Sequence, residues 1–163
     1  MRKILPATAV VLIFALAAWA VGEVATDFSL NDLDGKAQKL SSQKGKVVVL
    51  SFWMTWCQAC KVEWPHLNAL NEKYGKDGLV LWGITADAPS DMPKVRSLVR
   101  QFKLNFTTLL DKDSSVNSIY NQRSEYPLLV LIDKEGKVAW VHSGFKPGEE
   151  TEIEQQVKQA LGK

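Results

Sequence analysis

The sequence predicts a layered α/β domain built on a mixed sheet, and three observations predict it. Segments of strand character alternate with segments of helical periodicity, the run "KVVVLSFW" (46–53) is apolar almost throughout, and the chain closes with a hairpin pattern followed by a helix. Taken in order, Phe28 to Leu30, the turn "DLDG" from Asp32 to Gly35, and Gln38 to Leu40 read as a short hairpin. The β-branched and aromatic run from Lys46 to Trp53 reads as a strand buried on both faces. A helix is expected from the cysteines to about Tyr74, with Trp64, Leu67, Leu70 and Tyr74 as its apolar stripe.

"LVLWGIT", Leu79 to Thr85, is a second central strand. "SDMPKVRSLVRQF" then opens with Ser90 or Asp91 as a cap and Pro93 in the first turn, and is expected to bury Val95, Leu98, Val99 and Phe102. Thr107 to Leu110 makes a short strand and Val116 to Tyr120 a helical turn. Leu128 to Ile132, the turn "DKEG" and Val138 to Ser143 read as an antiparallel hairpin. The last helix, from about Gly148 to Leu161, carries Glu149, Glu150 and Glu152 at its positive end and turns Ile153, Val157, Ala160 and Leu161 inward.

The first twenty residues stand apart. Arg2 and Lys3 precede a stretch without charge that lasts until Glu23, and Ala18-Trp19-Ala20 supplies a small-x-small pattern before Val21. These are the features of a secretory signal, while the uncharged run from Ile4 to Gly22 is also near the roughly 20 residues of a membrane anchor. Residues 1–20 are therefore expected to be a signal peptide or an N-terminal anchor, and 21–163 the working domain. Either option places that domain outside the cytoplasm, where disulfides persist. Without Arg2 and Lys3 the 20 basic residues fall to 18, against 18 acidic ones, so a basic footprint for nucleic acid is absent.

The only two cysteines, Cys57 and Cys60, lie three residues apart in "SFWMTWCQACKVEWP", where the buried strand runs into the long helix. A helix N-terminus offers unpaired amide donors and the positive end of the dipole, and both stabilise a thiolate. Cys57 is the expected nucleophile, and Cys60, one turn further on the same side, the resolving thiol. That arrangement suits thiol–disulfide exchange, in which Cys57 attacks and Cys60 releases the mixed disulfide.

The stretch "FWMTWCQACKVEWP" resembles the active-site segment of the thioredoxin superfamily, in particular its extracytoplasmic TlpA/ResA-like branch, with a W-x-T-W-C-x-x-C segment followed by K-x-E-x-P. The resemblance runs from "FSLNDLDG" to the C-terminal helix. It implies a thioredoxin-like three-layer sandwich, a mixed sheet flanked by helices, with an N-terminal hairpin and a helix–strand insertion between Thr85 and Asp113. It further implies that Pro65 bends the active-site helix and that Pro127 is a cis-proline facing the disulfide, whose neighbouring backbone pairs with substrate. Glu63, three residues after Cys60, is implied to assist proton transfer, while Ser51 stands where a minimal thioredoxin has a buried aspartate. A solvated glutamate beside Lys61 and Lys73 is the plainer reading of the same residue.

The branch implies an enzyme with no cofactor beyond the Cys57–Cys60 disulfide, which reduces disulfides of exported proteins and draws electrons from a membrane thiol donor. Apocytochrome c cysteines are a frequent target in the family. This chain departs from the pattern in Gln58-Ala59 between the cysteines, in Met54, and in Tyr126, which is bulkier than the threonine, valine or isoleucine usual before the proline. Trp56 and Tyr126 are candidate substrate contacts; Trp53 either shapes the surface around Cys57 or simply packs, and Trp82 and Trp140 are expected to be core. Two rival readings follow from the same residues. Cys57, Cys60, His66 and His142 could form a metal-binding or copper-carrier site, although the histidines lie 76 residues apart. A thiol peroxidase shares the ancestral fold, but its sites commonly place threonine where Met54 stands.

Overall fold

The computed structural model describes residues 21–163. The leader expected over 1–20 lies outside the described residues, and among those described no helix is long and apolar enough to cross a membrane. The strands are β1 (Ser29–Asp32), β2 (Ala37–Lys39), β3 (Val47–Trp53), β4 (Leu79–Thr85), β5 (Thr107–Leu110), β6 (Leu128–Ile132) and β7 (Val138–Ser143). They form one seven-stranded sheet in the order β2-β1-β5-β4-β3-β6-β7. β3 and β4 run parallel, as do β4 and β5, whereas β1, β2, β6 and β7 pair antiparallel to their neighbours, so the sheet is mixed. The helices are α1 (Gln58–Tyr74), α2 (Met92–Gln101), α3 (Ser115–Tyr120) and α4 (Glu150–Leu161). The expected insertion corresponds to α2 and β5, and β5 separates β4 from the N-terminal hairpin.

The uninterrupted character of β3 follows from its place in the middle. Successive side chains point to opposite faces, and both faces are covered. Val47, Val49 and Trp53 join Trp64, Leu67 and Leu70 of α1, Val95 of α2, and Ile153 and Val157 of α4 in one core. Val48, Leu50 and Phe52 join Phe28 and Leu30 of the hairpin and Val116 and Tyr120 of α3 in the other. Ser51 is the polar member of the α1-facing set and is wholly buried. On β4 the same face holds Gly83, where an added Cβ would lie 2.9 Å from Trp53 Nε1 and 3.0 Å from the Phe106 ring. Glycine there leaves room for the Trp53 indole, which meets Trp64 edge-on at a centroid distance of 5.0 Å.

Three local expectations change in the folded chain. Neither Ser90 nor Asp91 caps α2 with its side chain, because Pro89–Asp91 already winds a 3-10 turn and Asp91 has helical backbone angles. Val99, Phe102 and Ala160 are only partly buried at the margin of the core. Trp140 is likewise half-buried, since β7 is an edge strand, and its indole stacks on His142 at 5.1 Å.

Candidate active site

β3 delivers the chain to Trp53, a turn closed by the Cys57 N–H to Met54 C=O bond (2.9 Å) follows, and α1 begins at Gln58 with Cys57 as its N-cap. The Cys60 N–H donates to Cys57 Sγ at 3.1 Å, so the sulfur takes the place of a capping oxygen. Cys57 and Cys60 are joined in a disulfide (S–S 2.02 Å), with their Cα atoms 5.4 Å apart. Cys60 is fully enclosed, whereas Cys57 keeps 3 % of its surface exposed. In the reduced state the same amide and the helix dipole favour the Cys57 thiolate.

Glu63 sits one turn beyond Cys60 and is completely buried. Ser51 Oγ donates to its Oε2 at 3.4 Å, and Oε1 makes no hydrogen bond among the described residues. Burial in this apolar layer raises its pKa from the usual carboxyl value to about 8, an effect that the Ser51 hydroxyl partly offsets. The solvated reading of Glu63 fails, because Lys73 pairs instead with Glu154 at 2.7 Å and Lys61 reaches Gln58 at 3.4 Å. Ser51 and Glu63 thus meet across the strand–helix interface, with the acid carried by the helix rather than the strand.

The other wall comes from a loop distant in sequence. The Tyr126–Pro127 peptide bond is cis, as the resemblance implied. Trp56 is 61 % exposed, and its ring meets that of Tyr126 edge-on, with centroids 5.5 Å apart. Tyr126 Oη donates to Asn117 Oδ1 at 3.0 Å, which fixes the ring from behind. Burial raises the Tyr126 pKa, with the Asp111 and Asp87 carboxyls adding to the effect against the Asn117 hydrogen bond. Asn121 holds the approach to Pro127 by accepting from Glu125 N–H (2.9 Å) and donating to Glu125 C=O (2.8 Å). Asp111, fully buried, accepts the Val116 and Asn117 amides at the start of α3 and thereby anchors the element that presents Asn117.

Known proteins resemble this chain in sequence and fold. The model of the AhpC/TSA family matches residues 21–141. The thiol-disulfide oxidoreductase ResA of Geobacillus kaustophilus is 36 % identical over 133 residues, 82 % of this chain and 75 % of its own. The chain is a ResA-like thiol-disulfide oxidoreductase of the AhpC/TSA family. Among solved structures, one from Chlorobium tepidum assigned as a thiol:disulfide interchange protein DsbE superposes with a TM-score of 0.82 at 32 % identity, covering 89 % of this chain and all of its own. A solution structure from Bacteroides thetaiotaomicron assigned as a protein disulfide isomerase gives 0.81 at 30 % identity, over 90 % of this chain and 92 % of its own.

As a ResA-like enzyme the protein acts on disulfide-containing protein substrates. The four residues of the metal-site reading are not gathered in the structure. His66 packs against the Phe145 ring, His142 bonds Glu149 Oε2 at 3.2 Å, and no three His, Cys, Asp or Glu side chains converge among the described residues. Thr55, the threonine nearest the peroxidase position, has its hydroxyl committed to Asp87 Oδ1 at 2.8 Å. The sequence alone does not single out Asp87, Asn117 and Asn121, because their partners are set by strand and loop placement, although a polar residue just past the second central strand is a usable signal.

Proposed function

We propose that this ResA-like enzyme is a disulfide reductase working outside the cytoplasm, with Cys57 as nucleophile, Cys60 as resolving thiol and Glu63 as proton carrier. The observation that carries the reading is the placement of the pair: Cys57 Sγ on the Cys60 amide at the α1 N-terminus, with buried Glu63 one turn deeper. The Cys57 thiolate attacks one sulfur of a substrate disulfide, that S–S bond breaks, and the departing substrate sulfur takes up a proton. Cys60 then loses its proton to Glu63 and attacks Cys57 Sγ. The second substrate sulfur leaves as a thiolate and takes up a proton as Glu63 releases the one it received, and the Cys57–Cys60 disulfide holds the oxidising equivalents. A carboxyl with a pKa of about 8 is closely matched to a thiol, so proton transfer between them is nearly balanced at neutral pH.

Trp56, Tyr126 and cis-Pro127 form the surface on which the substrate strand lies, and no cofactor beyond the disulfide is invoked. Residues 21–163 form the exported domain and 1–20 its signal or anchor. A membrane dithiol returns the enzyme to its reduced state, and the haem-attachment cysteines of an apocytochrome c are the proposed target class. The test is a redox titration of the full-length protein with a thiol-alkylating mass tag, combined with trapping. A two-electron midpoint near or below about −270 mV supports the reductase, and one near about −120 mV makes the protein an oxidant. Cys60→Ser is expected to retain a partner through Cys57, while Cys57→Ser retains none. Trapping by Cys57→Ser alone reverses the two roles.

A further inference from the structure

β3 and β4 are parallel with Trp53 opposite Thr85, a sequence offset of 32. Two residues beyond the end of each strand the same offset recurs between Thr55 and Asp87, but the Asp87 side chain now makes the link. Asp87 is 4 % exposed. It accepts Thr55 N–H on Oδ2 at 2.9 Å, Thr55 Oγ1–H on Oδ1 at 2.8 Å and Thr85 Oγ1–H on Oδ2 at 2.6 Å. Its own N–H donates to Thr85 Oγ1 at 3.3 Å. This is a closed set of hydrogen bonds in a buried place, where such bonds are strong and costly to break. Thr55 lies inside the turn from Met54 to Cys57 that sets Cys57 as the α1 N-cap.

We propose that Asp87 is the positioning residue of the dithiol: through Thr55 it fixes the turn that keeps Cys57 Sγ on the Cys60 amide at the α1 N-terminus. The inference rests on Cys57 being the attacking thiol. Asp87 touches neither sulfur, so its effect passes through geometry. Two opposing contributions can be separated by substitution. As a clamp, Asp87 favours the Cys57 thiolate by keeping the sulfur on its donors; as a charge near the site, it disfavours that thiolate. The other ionisable groups around the clamp are Tyr126, which senses the Asp87 and Asp111 carboxyls, and Asp111, whose N–H donates to Thr85 C=O; Glu63, held by Ser51, is the further buried acid of the site. None of them is substituted in the variants below. With all three Asp87 acceptor contacts directed at threonines, the clamp dominates.

The test compares reduced full-length wild type, Asp87→Ala, Asp87→Asn and Thr55→Val. Each is titrated by thiolate absorbance and by the rate of iodoacetamide alkylation, with mass spectrometry locating the modified cysteine and circular dichroism checking the fold. Asp87→Ala is expected to move the Cys57 titration upward and slow alkylation at pH 6.5 by about tenfold, and Thr55→Val by about threefold. Asp87→Asn keeps an acceptor and loses the charge, so it is expected within about twofold of wild type. An unchanged midpoint and rate in folded Asp87→Ala overturns the proposal. So does faster alkylation in Asp87→Asn, which would make the charge decisive. If Asp87→Ala does not fold, Thr55→Val decides, and wild-type behaviour there overturns it. First alkylation at Cys60 in the wild type defeats the assignment of Cys57 instead, a result independent of Asp87.

Discussion

The two ends of the central strands use the same residue types in different ways. At the end away from the disulfide, Asp133 accepts the amides of Glu135 (3.0 Å) and Lys137 (2.8 Å) and so builds the β6–β7 turn from partners two and four residues away. Lys134 donates to Leu161 C=O at 2.7 Å, and Lys163 pairs with Asp77 at 2.7 Å with both side chains well exposed. At the disulfide end, Asp87 reaches Thr55 across 32 residues and Ser51 reaches Glu63 across 12, all of them buried. At the first end Asp133 closes a turn and the two lysines tie down the chain end from exposed positions, where water can replace a lost partner. The second holds polar groups where water does not, so each contact is tied to the geometry and protonation of the site. Function is concentrated where the polar contacts are dry.

Glu63→Gln breaks this comparison most sharply. Glu63 binds its proton more tightly in the folded chain than in the unfolded one, so its burial costs nothing below about pH 4.5 and the cost grows until the pH passes about 8. The glutamine variant is therefore expected to be more stable than wild type at pH 7, by at most about 3 kcal/mol, and to match it near pH 4. Urea unfolding of the oxidised proteins at both pH values measures this. The same variant should slow resolution of the mixed disulfide at least tenfold near neutral pH, read by stopped-flow exchange. Equal stability at both pH values and unchanged kinetics would place Glu63 with the exposed acids of the other end.

Asn117→Ala comes next. It removes the acceptor of Tyr126 Oη from a buried position, at an expected cost of about 1–3 kcal/mol, and a several-fold rise in KM for a peptide disulfide should accompany it as the Tyr126 ring loosens beside Trp56. At the opposite end, Asp133→Ala is expected to cost about 1 kcal/mol in thermal unfolding with exchange kinetics unchanged. Lys163→Ala removes an exposed ion pair and should stay within about 0.5 kcal/mol, again without effect on exchange. A kinetic effect from either of these last two would show that the ends are coupled through the sheet.

Much of the frame was legible because it depends on local pattern. The apolar run at 46–53, the helical stripe Trp64, Leu67, Leu70 and Tyr74, and the turn at 133–136 each specify their element within a few residues, and the folded chain has all three. The capping of α2 was misread for an equally local reason, since Pro89 starts a 3-10 turn that leaves Ser90 and Asp91 no capping geometry. Cys57 and Cys60 were legible as a pair because a helix brings residues three apart onto one side.

By itself, then, the sequence determined the order of strands and helices, the strand-to-helix junction that carries both cysteines, and an exchange chemistry suited to it. Only the tertiary structure decided the protonation of Glu63, because burial depends on what β3 and its neighbours place around it. It also decided that Ser51 faces that acid, that Asp87 finds Thr55, and that Tyr126 meets Trp56. The physical reason is the same in each case. Periodicity and capping act over one or two turns of chain, whereas desolvation and buried hydrogen bonds depend on strand register and loop placement, which bring together residues 12 to 70 positions apart.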